Sequence, residues 1–503
     1  MQSPLVTVFT TALAAFAILA SAKDSQPINP VHDRPATPTI TRDVVIIGGG
    51  TTGSFAASWL KDNGYSYVLV EKRGNLGGHS QTYISPSTGH AIEYGNVFFE
   101  DTDTMRKYLN RYHVPFKQVP PVNDPNHAIQ FYNLRTGKQA NFQPPNPVIV
   151  EDALDRWTSF LAKHFSFLED GYYLPDPVPA DLLLPFNKFV EKYDLNDMLN
   201  IAFQVGQGFG DFLSVPTLYA AKILSRSLIQ QFKSQSMLVT QNNGKLYERA
   251  KAEFAREESL LLSSTVVHVD RSVNDDGYMS VLVQTKKGGD TATTRVRARQ
   301  LLVTIPPKEA LGSEFSLEEK EKTLFSKFAC NYYWAGVLRN AQLPALEIQN
   351  CDPGNPGGVP TLPGMYVFEA TASPEIHTFW YGAPTGAANQ TEEGVKADVL
   401  ATIQRLRGAN GASQQDIEIA ESEIEFLALG DFNPFACMVD ATSIEGGFYR
   451  HLYNLQGFKN TWWTGAAWHT HDASLLLDFT QEVLKNMTRS LTEDSKRKES
   501  EEL

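Results

Sequence analysis

The feature that most constrains the fold is a glycine-rich turn between two apolar runs near the N-terminus. The first run, VVII at 44–47, is continuous and β-branched, which is typical of a strand buried on both faces of a parallel sheet. The turn, with the spacing G-x-G-x-x-G, occupies 48–53, and a stretch with helical periodicity follows it. A second apolar run, 67–70, then ends in Glu71. This order predicts the βαβ unit that binds a dinucleotide.

Each glycine of the turn has its own predicted role. Gly48 permits the tight turn, Gly50 lets the backbone approach a pyrophosphate, and Gly53 lets the helix pack closely on the strand. Thr52 lies at the N-terminus of this helix, where free N–H groups and the helix dipole favour phosphate. Glu71 is placed to accept hydrogen bonds from an adenosine ribose. The turn leaves FAD and NAD open; the two basic residues after Glu71 favour NADP, whereas the negative charge of Glu71 disfavours it.

A second glycine motif, GGHSQT, begins at Gly77 and distinguishes between these cofactors. A dinucleotide turn followed by Gly-Gly-Arg-x-x-(Ser/Thr) is the hallmark of the flavin-containing amine oxidase superfamily. The form with histidine, together with IEYGNVFFED at 92–101, resembles the fungal β-cyclopiazonate dehydrogenase family and has some similarity to bacterial polyunsaturated fatty acid isomerases. The resemblance implies FAD, with Gly77 and Gly78 along its pyrophosphate. His79 replaces the arginine and is a weaker anion ligand; the alternative for it is a loop histidine that faces solvent.

The resemblance also assigns distant segments to FAD. A strand within 260–272 resembles the one whose valine, here Val267, contacts adenine through its backbone, although by composition alone an ordinary buried strand is preferred. Near the C-terminus, an aromatic stretch precedes a helix that is predicted to begin near Asp472, a good N-cap residue. In the superfamily, this loop and helix meet the ribityl chain and the flavin pyrimidine edge. The residues assigned to FAD there are Gly465, Ala466 and Leu475.

The resemblance implies an α/β fold in which a Rossmann-like FAD-binding domain, of the glutathione-reductase and amine-oxidase type, is interleaved with an α+β substrate domain. A chain of 503 residues is long enough for two or three such units. The FAD-binding domain is predicted from three segments, 43–105, 238–312 and 428–486. The remaining segments are a signal peptide at 1–22, a linker at 23–42, the substrate domain at 106–237 and 313–427, and a charged, solvated tail at 487–503.

The N-terminus predicts a secretory route. An apolar run from Leu5 to Leu19 is followed by a small-x-small sequence that ends at Ala22, the pattern of a cleaved signal peptide. The alternative is an uncleaved anchor, but the run is shorter than the roughly 20 apolar residues that span a bilayer. We therefore expect a secreted or lumenal protein without a stable membrane span after signal cleavage. Two glycosylation sequons, at Asn389 and Asn486, fit this route.

Charge and metal-binding residue types exclude several classes of protein. The formal net charge of −13 disfavours nucleic acid as a partner. The three cysteines, Cys330, Cys351 and Cys437, lack a CxxC spacing, so at most one disulfide forms and no dithiol relay is indicated. His469 and His471 alternate on one segment, but no third ligand is identifiable, so no metal is predicted.

The chemistry implied by the resemblance is removal of a hydride from a small-molecule substrate onto the flavin, which oxygen or another electron acceptor then reoxidises. Amine oxidases of the superfamily often place a lysine near the reacting flavin atom. The matching stretch here offers Tyr332, Tyr333 and Trp334, with Lys327 further upstream, which disfavours ordinary amine oxidation. Resemblance to the β-cyclopiazonate dehydrogenases instead implies oxidation of a complex fungal secondary metabolite, an alkaloid or a terpenoid, with ring closure.

Aromatic residues near the C-terminus are candidates for the substrate cavity. Tyr449, Trp463 and Trp468 are predicted to line it and to stabilise a substrate cation, with packing in the core as the alternative. Three other functions stay open at this point: a flavin amine oxidase, a redox-neutral FAD-dependent isomerase, and a non-catalytic flavin-binding protein.

Overall fold

The computed structural model describes residues 37–118, 128–274, 276–373, 375–388, 390–413 and 423–501. Its compact unit begins at Pro38. The predicted signal peptide at 1–22 and the predicted sequon at Asn389 lie outside the described residues.

The secondary structure alternates between helices and strands. In chain order the strands are β1 (Thr39–Ile47), β2 (Tyr67–Val70), β3 (Thr82–Ile84), β4 (Ala91–Glu93), β5 (Phe116–Gln118), β6 (Ile129–Asn133), β7 (Lys138–Gln139), β8 (Leu238–Thr240), β9 (Leu260–Leu261), β10 (Ser264–Asp270), β11 (Met279–Lys287), β12 (Asp290–Val303), β13 (Ala329–Arg339), β14 (Glu347–Asn350), β15 (Gly364–Ala370), β16 (Ile376–Ala383), β17 (Glu425–Asp431), β18 (Phe435–Met438) and β19 (Thr461–Trp463). The helices are α1 (Thr51–Asp62), α2 (Asp103–Arg111), α3 (Pro147–His164), α4 (Ala180–Leu183), α5 (Phe186–Lys192), α6 (Leu199–Val205), α7 (Thr217–Ile223), α8 (Arg226–Ser234), α9 (Gly244–Arg256), α10 (Glu319–Ser326), α11 (Glu392–Ala409), α12 (Ala441–Glu445), α13 (Phe448–Tyr453) and α14 (Ala473–Glu501).

Among the described residues, seven strands form a first sheet in the order β10-β11-β12-β1-β2-β9, with β19 paired to β12. β1 lies parallel to both β2 and β12, and β19 is parallel to β12. The run Val44–Ile47 is almost fully buried at the centre of this sheet, as a continuous β-branched run predicts. β9 is parallel to β2, so five parallel strands end at the same edge.

A second sheet has the strand order β17-β13-β16-β15-β14-β6-β7, with β18 also paired to β13. Its pairs are antiparallel except for β14 and β6. One face, called here the outer face, packs against apolar residues of α11, among them Val395, Val399 and Ile403. The other face, the inner face, contributes side chains such as Val367 and Trp380 to the main core.

Three segment boundaries differ from those expected from sequence. The predicted linker ends too late, because β1 begins at Thr39 and pairs there with Arg295 of β12. The third FAD-domain segment was expected from 428, but this position lies inside β17, a strand of the second sheet. The expected solvated tail is instead the continuation of α14, whose buried Met487 and Leu491 anchor it. None of the helices in the described part of the chain, α14 included, has the apolar length that crossing a membrane requires.

One disulfide joins Cys330 of β13 to Cys437 of β18, and Cys351 is a buried free thiol. The sequence left the choice of pair open, because Cys330 and Cys437 are 107 residues apart and only the pairing of β13 with β18 brings them together. The disulfide therefore closes a long loop, which restricts the unfolded chain.

Candidate active site

A cleft lies where the parallel strands of the first sheet end. Gly48 follows β1, Glu71 follows β2, Thr304 follows β12 and Thr464 follows β19, and all four residues line the cleft. Crevices outside the carboxyl ends of parallel strands are where open α/β sheets bind ligands. Other lining residues come from the glycine motifs, from the turn after β17 and from the start of α14: Gly50, Thr51, Thr52, Gly78, His79, Asn433, Cys437, Gly465, Ala466, Trp468, His471, Asp472 and Leu476.

The glycine turn after β1 has no room for side chains behind it. A Cβ at Gly48, whose φ is +105°, would lie 2.5 Å from Oγ1 of Thr304. A Cβ at Gly53 would lie 1.8 Å from the carbonyl oxygen of Gly48, because α1 crosses directly over the turn. At Gly50 the nearest atom to such a Cβ is 3.8 Å away, on Gly78, so this glycine borders the open cleft. These contacts match the three roles predicted from the spacing.

The second glycine motif packs against the first. The Gly77 N–H donates to the carbonyl oxygen of Gly49 over 2.9 Å, and a Cβ at Gly78 would lie 2.9 Å from Cα of Gly50. Gly78 lines the cleft, whereas Gly77 lies behind it, with Tyr247 3.0 Å from the position of a Cβ. The two motifs form a single wall made of backbone.

Helix α1 begins at this wall without a capping side chain. Its N-cap is Gly50, and its first turn contains no acidic residue. Thr51 and Thr52 line the cleft, and the hydroxyl of Thr51 lies 2.8 Å from that of Tyr247. A helix N-terminus left in this state presents N–H groups and a positive dipole to an anion. The wall and the helix end thus suit a pyrophosphate.

Glu71 is held in place by two backbone groups. Its carboxylate accepts hydrogen bonds from Gly49 N–H over 2.6 Å and from Arg73 N–H over 2.7 Å. A carboxylate has about four lone-pair directions, so acceptor capacity is left for a ligand in the cleft. The position fits the predicted contact with ribose hydroxyls.

Arg73 is a cleft residue that the sequence analysis considered only in the NADP alternative, as one of the two basic residues after Glu71. Its guanidinium donates to the carbonyl oxygens of Gly78, over 3.2 Å, and Asp431, over 2.6 Å, and it lines the cleft. It therefore supplies positive charge beside the glycine pair, where the superfamily motif has its arginine and this chain has His79. No local signal reveals this, since Arg73 precedes the motif.

The two histidines of the cleft are neutral. The rings of His79 and His471 lie 5.3 and 4.3 Å from that of Phe435, on which both pack. Burial lowers the pKa of His79 to about 4, with a further effect of the nearby Arg73 charge, and burial lowers the pKa of His471 to about 3. His79 faces the cleft rather than bulk solvent and contributes no positive charge there.

The C-terminal part of the cleft is formed by the loop before α14 and by its first turn. As predicted, Asp472 caps the helix, accepting the N–H of Leu475 over 2.8 Å. Gly465 and Ala466 line the cleft, but Leu475 does not, and Leu476 takes its place. Residues three apart share a helix face, so Leu476 follows Ala473 into the cleft, while Leu475 points into a separate cavity of about 620 Å³. Burial raises the pKa of Asp472 to about 6.

His469 and His471 lie on opposite sides of their loop. Nδ1 of His469 is 2.9 Å from Nζ of Lys222, which also donates to the carbonyl oxygen of Leu168 over 2.6 Å. Burial lowers the pKa of Lys222 to about 7 and that of His469 well below its usual value. Across the described ranges, no three His, Cys, Asp or Glu side chains are grouped as metal ligands would be.

Of the aromatic residues predicted to line the cavity, only Trp468 reaches the cleft. Trp463 stacks behind it at 5.9 Å and is fully buried. Tyr449 stacks on Tyr172 at 3.9 Å and donates to the hydroxyl of Tyr219, so it is a core residue. Composition alone does not separate a cavity wall from a core.

None of the remaining predicted residues lines the cleft, and among them only Tyr333 packs close to it. Val267 lies at an irregularity of β10 and is not a cleft-lining residue, so its contact with adenine stays a prediction. Lys327 is exposed after α10. Tyr332 and Trp334 pack on the outer face, because alternate residues of β13 point to opposite sides. Tyr333 faces inward, with its ring 4.8 Å from Phe435.

Comparison with known proteins identifies relatives over most of the chain. The family model described as flavin containing amine oxidoreductase matches residues 53–473. An FAD-dependent oxidoreductase of Cochliobolus heterostrophus is 34% identical, over 90% of this chain and 92% of that protein. The β-cyclopiazonate dehydrogenase of Aspergillus oryzae is 33% identical, over 90% of this chain and 95% of the enzyme.

Solved structures share the fold at low sequence identity. A fatty acid isomerase from P. acnes that produces CLA superposes with a TM-score of 0.68 at 18% identity, covering 88% of this chain and 98% of that one. Cyclohexylamine oxidase from Brevibacterium oxydans gives a TM-score of 0.58 at 14% identity, covering 90% and 99%. The predicted fold class, a Rossmann-like FAD-binding domain with a substrate domain, is confirmed.

Proposed function

The chain belongs to the family of flavin-containing amine oxidoreductases and is an FAD-dependent oxidoreductase, and from this premise we propose that it removes a hydride from a complex fungal secondary metabolite. The substrate class proposed is an alkaloid or a terpenoid, and the named relatives support it at 33–34% identity. FAD, when bound, supplies the acceptor for the hydride.

The residues of the cleft fit FAD. The backbone wall at Gly50 and Gly78 and the uncapped start of α1 suit its pyrophosphate. Glu71 suits the adenosine ribose, and Arg73 adds a positive charge beside the phosphates. The Asp472-capped start of α14 lies at the opposite part of the cleft, where the helix dipole favours negative charge on a reduced ligand.

The observation that carries the proposal is the aromatic cluster that packs against the two neutral histidines of the cleft. His79 and His471 are uncharged and share Phe435 between them, and Tyr333 extends this surface. Among the described residues that line the cleft, the one lysine is Lys72, whose ammonium pairs with Glu309. Such a surface orients an apolar substrate and excludes water, and it lacks the lysine that amine oxidation in the superfamily often uses.

The same surface supports ring closure after hydride loss. A substrate cation that faces Phe435 and Tyr333 is stabilised by the ring faces. Exclusion of water leaves a nucleophile within the substrate as the group that captures the cation. Oxygen or another electron acceptor then completes the turnover.

The test is product analysis with a metabolite extract of the source organism. We expect the protein with FAD to consume one metabolite and to form a product that lacks two hydrogen atoms, in an amount that depends on oxygen or an added acceptor. A product of unchanged mass that forms without any acceptor would instead identify an isomerase. No change in any metabolite, with FAD bound, would favour a non-catalytic flavin protein.

We also propose that the chain enters the secretory pathway and is secreted or lumenal. The apolar N-terminal sequence supports this, and the Cys330–Cys437 disulfide suits an oxidising compartment. Asn486 is exposed on α14 and is the proposed glycosylation site within the described residues. Sequencing of the mature N-terminus and a mass shift on glycosidase treatment test these points; an intact N-terminus would contradict signal cleavage.

A further inference from the structure

Three polar residues form a row on the inner face of the second sheet. Glu369 of β15 lies opposite Thr378 of β16 in the antiparallel register. On its other side, the pairing of Ile348 with Phe368 places Glu347 of β14 opposite Glu369. Their neighbours Ile348 and Phe368 point to the outer core, so Glu347 and Glu369 point to the inner face. Like charges in directly opposed positions destabilise a sheet.

The side chains of two members of the row, Glu369 and Thr378, have no hydrogen-bond partner among the described residues. In the part of the chain that the structure describes, nothing forms a hydrogen bond or an ion pair with the Glu369 carboxylate. Burial, together with the charge of Glu347, raises the pKa of Glu369 to about 8. Thr378 is 3% exposed, and over the same described residues its hydroxyl has no hydrogen-bond partner. Buried polar groups in native proteins are almost always bonded, so Glu369 and Thr378 are placed for a partner from outside the described chain.

The surroundings of the row combine apolar rings with a fixed amide. Gln349 donates to the Glu347 carboxylate and accepts from Gln204 of α6 over 3.3 Å. Trp380 and Val367 occupy the next row of the inner face. A ligand that fits here has an apolar body and one end that donates hydrogen bonds to carboxyl groups of the row.

The row and the cleft are connected by Tyr333. Tyr333 lies on the inner face of β13, where burial raises the pKa of its hydroxyl, with further effects of the nearby Tyr366 and Glu369. Its ring packs on Phe435, which contacts both cleft histidines. Tyr333 is therefore close both to the row and to the rings that pack on the cleft histidines.

We propose that Glu347, Glu369 and Thr378 form a subsite for a protonated nitrogen of the substrate, at a distance from the carbon that loses its hydride. The two carboxylates and the hydroxyl oxygen supply three acceptors, and a protonated amine supplies up to three donors and the missing positive charge. The subsite rests on the proposed function, since it holds the far end of the same substrate.

The experiment compares two probes of equal shape on the full chain with FAD, 2-phenylethylamine and 2-phenylethanol, by calorimetric titration at pH 7. The amine is expected to bind at least about tenfold more tightly than the alcohol. Glu369→Gln removes the carboxyl that can ionise against the ammonium, with little change of shape, and is expected to weaken the binding of the amine by about 10- to 100-fold. The alcohol should bind the variant as it binds the wild type.

The matched control is Glu425→Gln, which changes an exposed glutamate of β17 in the same sheet, paired with Arg339. Its affinity for the amine should equal that of the wild type. Thr378→Val is a second variant, expected to weaken the amine by about threefold to tenfold, and it carries the test if Glu369→Gln does not fold.

The proposed subsite would be overturned if the variants lost affinity for the amine and the alcohol equally. It would also be overturned if Glu369→Gln and Thr378→Val both kept the wild-type affinity for the amine. Failure of the proposed function has a different result, because it leaves the amine preference and its dependence on Glu369 intact while no metabolite loses hydrogen. If Glu369→Gln binds the amine with wild-type affinity and still forms the dehydrogenated product, the subsite is wrong and the proposed function stands.

Discussion

The two ends of the cleft are built in different ways. At the glycine end, the two glycine motifs pack backbone against backbone, and a Cβ added at Gly48, Gly53 or Gly78 would lie less than 3 Å from another atom. At the aromatic end, the cleft histidines pack on a cluster of rings from distant parts of the chain, centred on Phe435. A backbone wall admits one cofactor shape and tolerates little change. Side chains can be altered residue by residue, so we expect this end to select the substrate.

The glycine end should respond most strongly to a single added methyl group. In Gly53→Ala the new Cβ would meet the carbonyl oxygen of Gly48 at 1.8 Å, which forces α1 away from β1. We expect a loss of about 3 kcal/mol or more of the free energy of unfolding and of bound FAD. Gly74→Ala is the control, since the nearest atom to its Cβ is 3.7 Å away, and flavin absorbance should stay at the wild-type level. Full flavin content in Gly53→Ala would contradict the account of this wall.

A lysine behind the aromatic end should make stability depend on pH. The pKa of Lys222 is lowered by burial from 10.5 to about 7, so between these values the unfolded chain binds a proton that the folded protein does not. The free energy of unfolding should therefore rise with pH between about 7 and 10.5, by as much as about 5 kcal/mol from this group. Denaturant titrations at several pH values measure the free energy of unfolding. We expect Lys222→Met to lack this rise. The exposed Lys327→Met should follow the wild-type curve, and parallel curves for all three proteins would refute the burial effect.

Glu71 tests whether a charge or only a shape is needed at the glycine end. Glu71→Gln keeps the size of the side chain and one acceptor oxygen, but it places an NH2 donor against one of the two backbone N–H groups, of Gly49 and Arg73, that the carboxylate accepts. We expect the affinity for FAD to fall by about 10- to 100-fold, measured by titration of the apoprotein. Glu309→Gln changes another cleft carboxylate, one that pairs with Lys72, and should have a smaller effect. The reverse order of the two effects would remove Glu71 from the ribose site.

The smallest effect is expected for Tyr333, which belongs to the aromatic end. Tyr333→Phe removes the hydrogen bond of its hydroxyl to Gln207, 2.9 Å in length, and keeps the ring on Phe435. We expect a loss of about 1 kcal/mol in substrate affinity or activation free energy, with FAD affinity unchanged. Tyr332→Phe, on the outer face, should leave kcat/KM as it is. A loss of FAD from Tyr333→Phe would mean that the two ends are not independent.

The same contrast explains how far the sequence could be interpreted. The glycine end follows from local rules, so Gly48, Gly50, Gly53 and Glu71 were predicted with roles that the geometry fits. Leu475 was one position away from the residue that lines the cleft, since helix phase depends on where the helix begins.

The aromatic end was mostly beyond prediction because its residues converge only after folding. For Tyr449 and Trp463 the sequence left a cavity wall and the core open, and both are buried in the core. Phe435, Arg73 and the row on the inner face gave no local pattern, because strand register and the packing of the two sheets bring them into place.

The most direct test of the central claim is the visible spectrum of the FAD-loaded protein, recorded without oxygen before and after addition of the metabolite that it consumes. The account predicts an oxidised flavin spectrum that bleaches in one turnover and returns when oxygen or another acceptor is admitted. A spectrum that stays oxidised while the metabolite disappears would contradict net hydride removal by this protein.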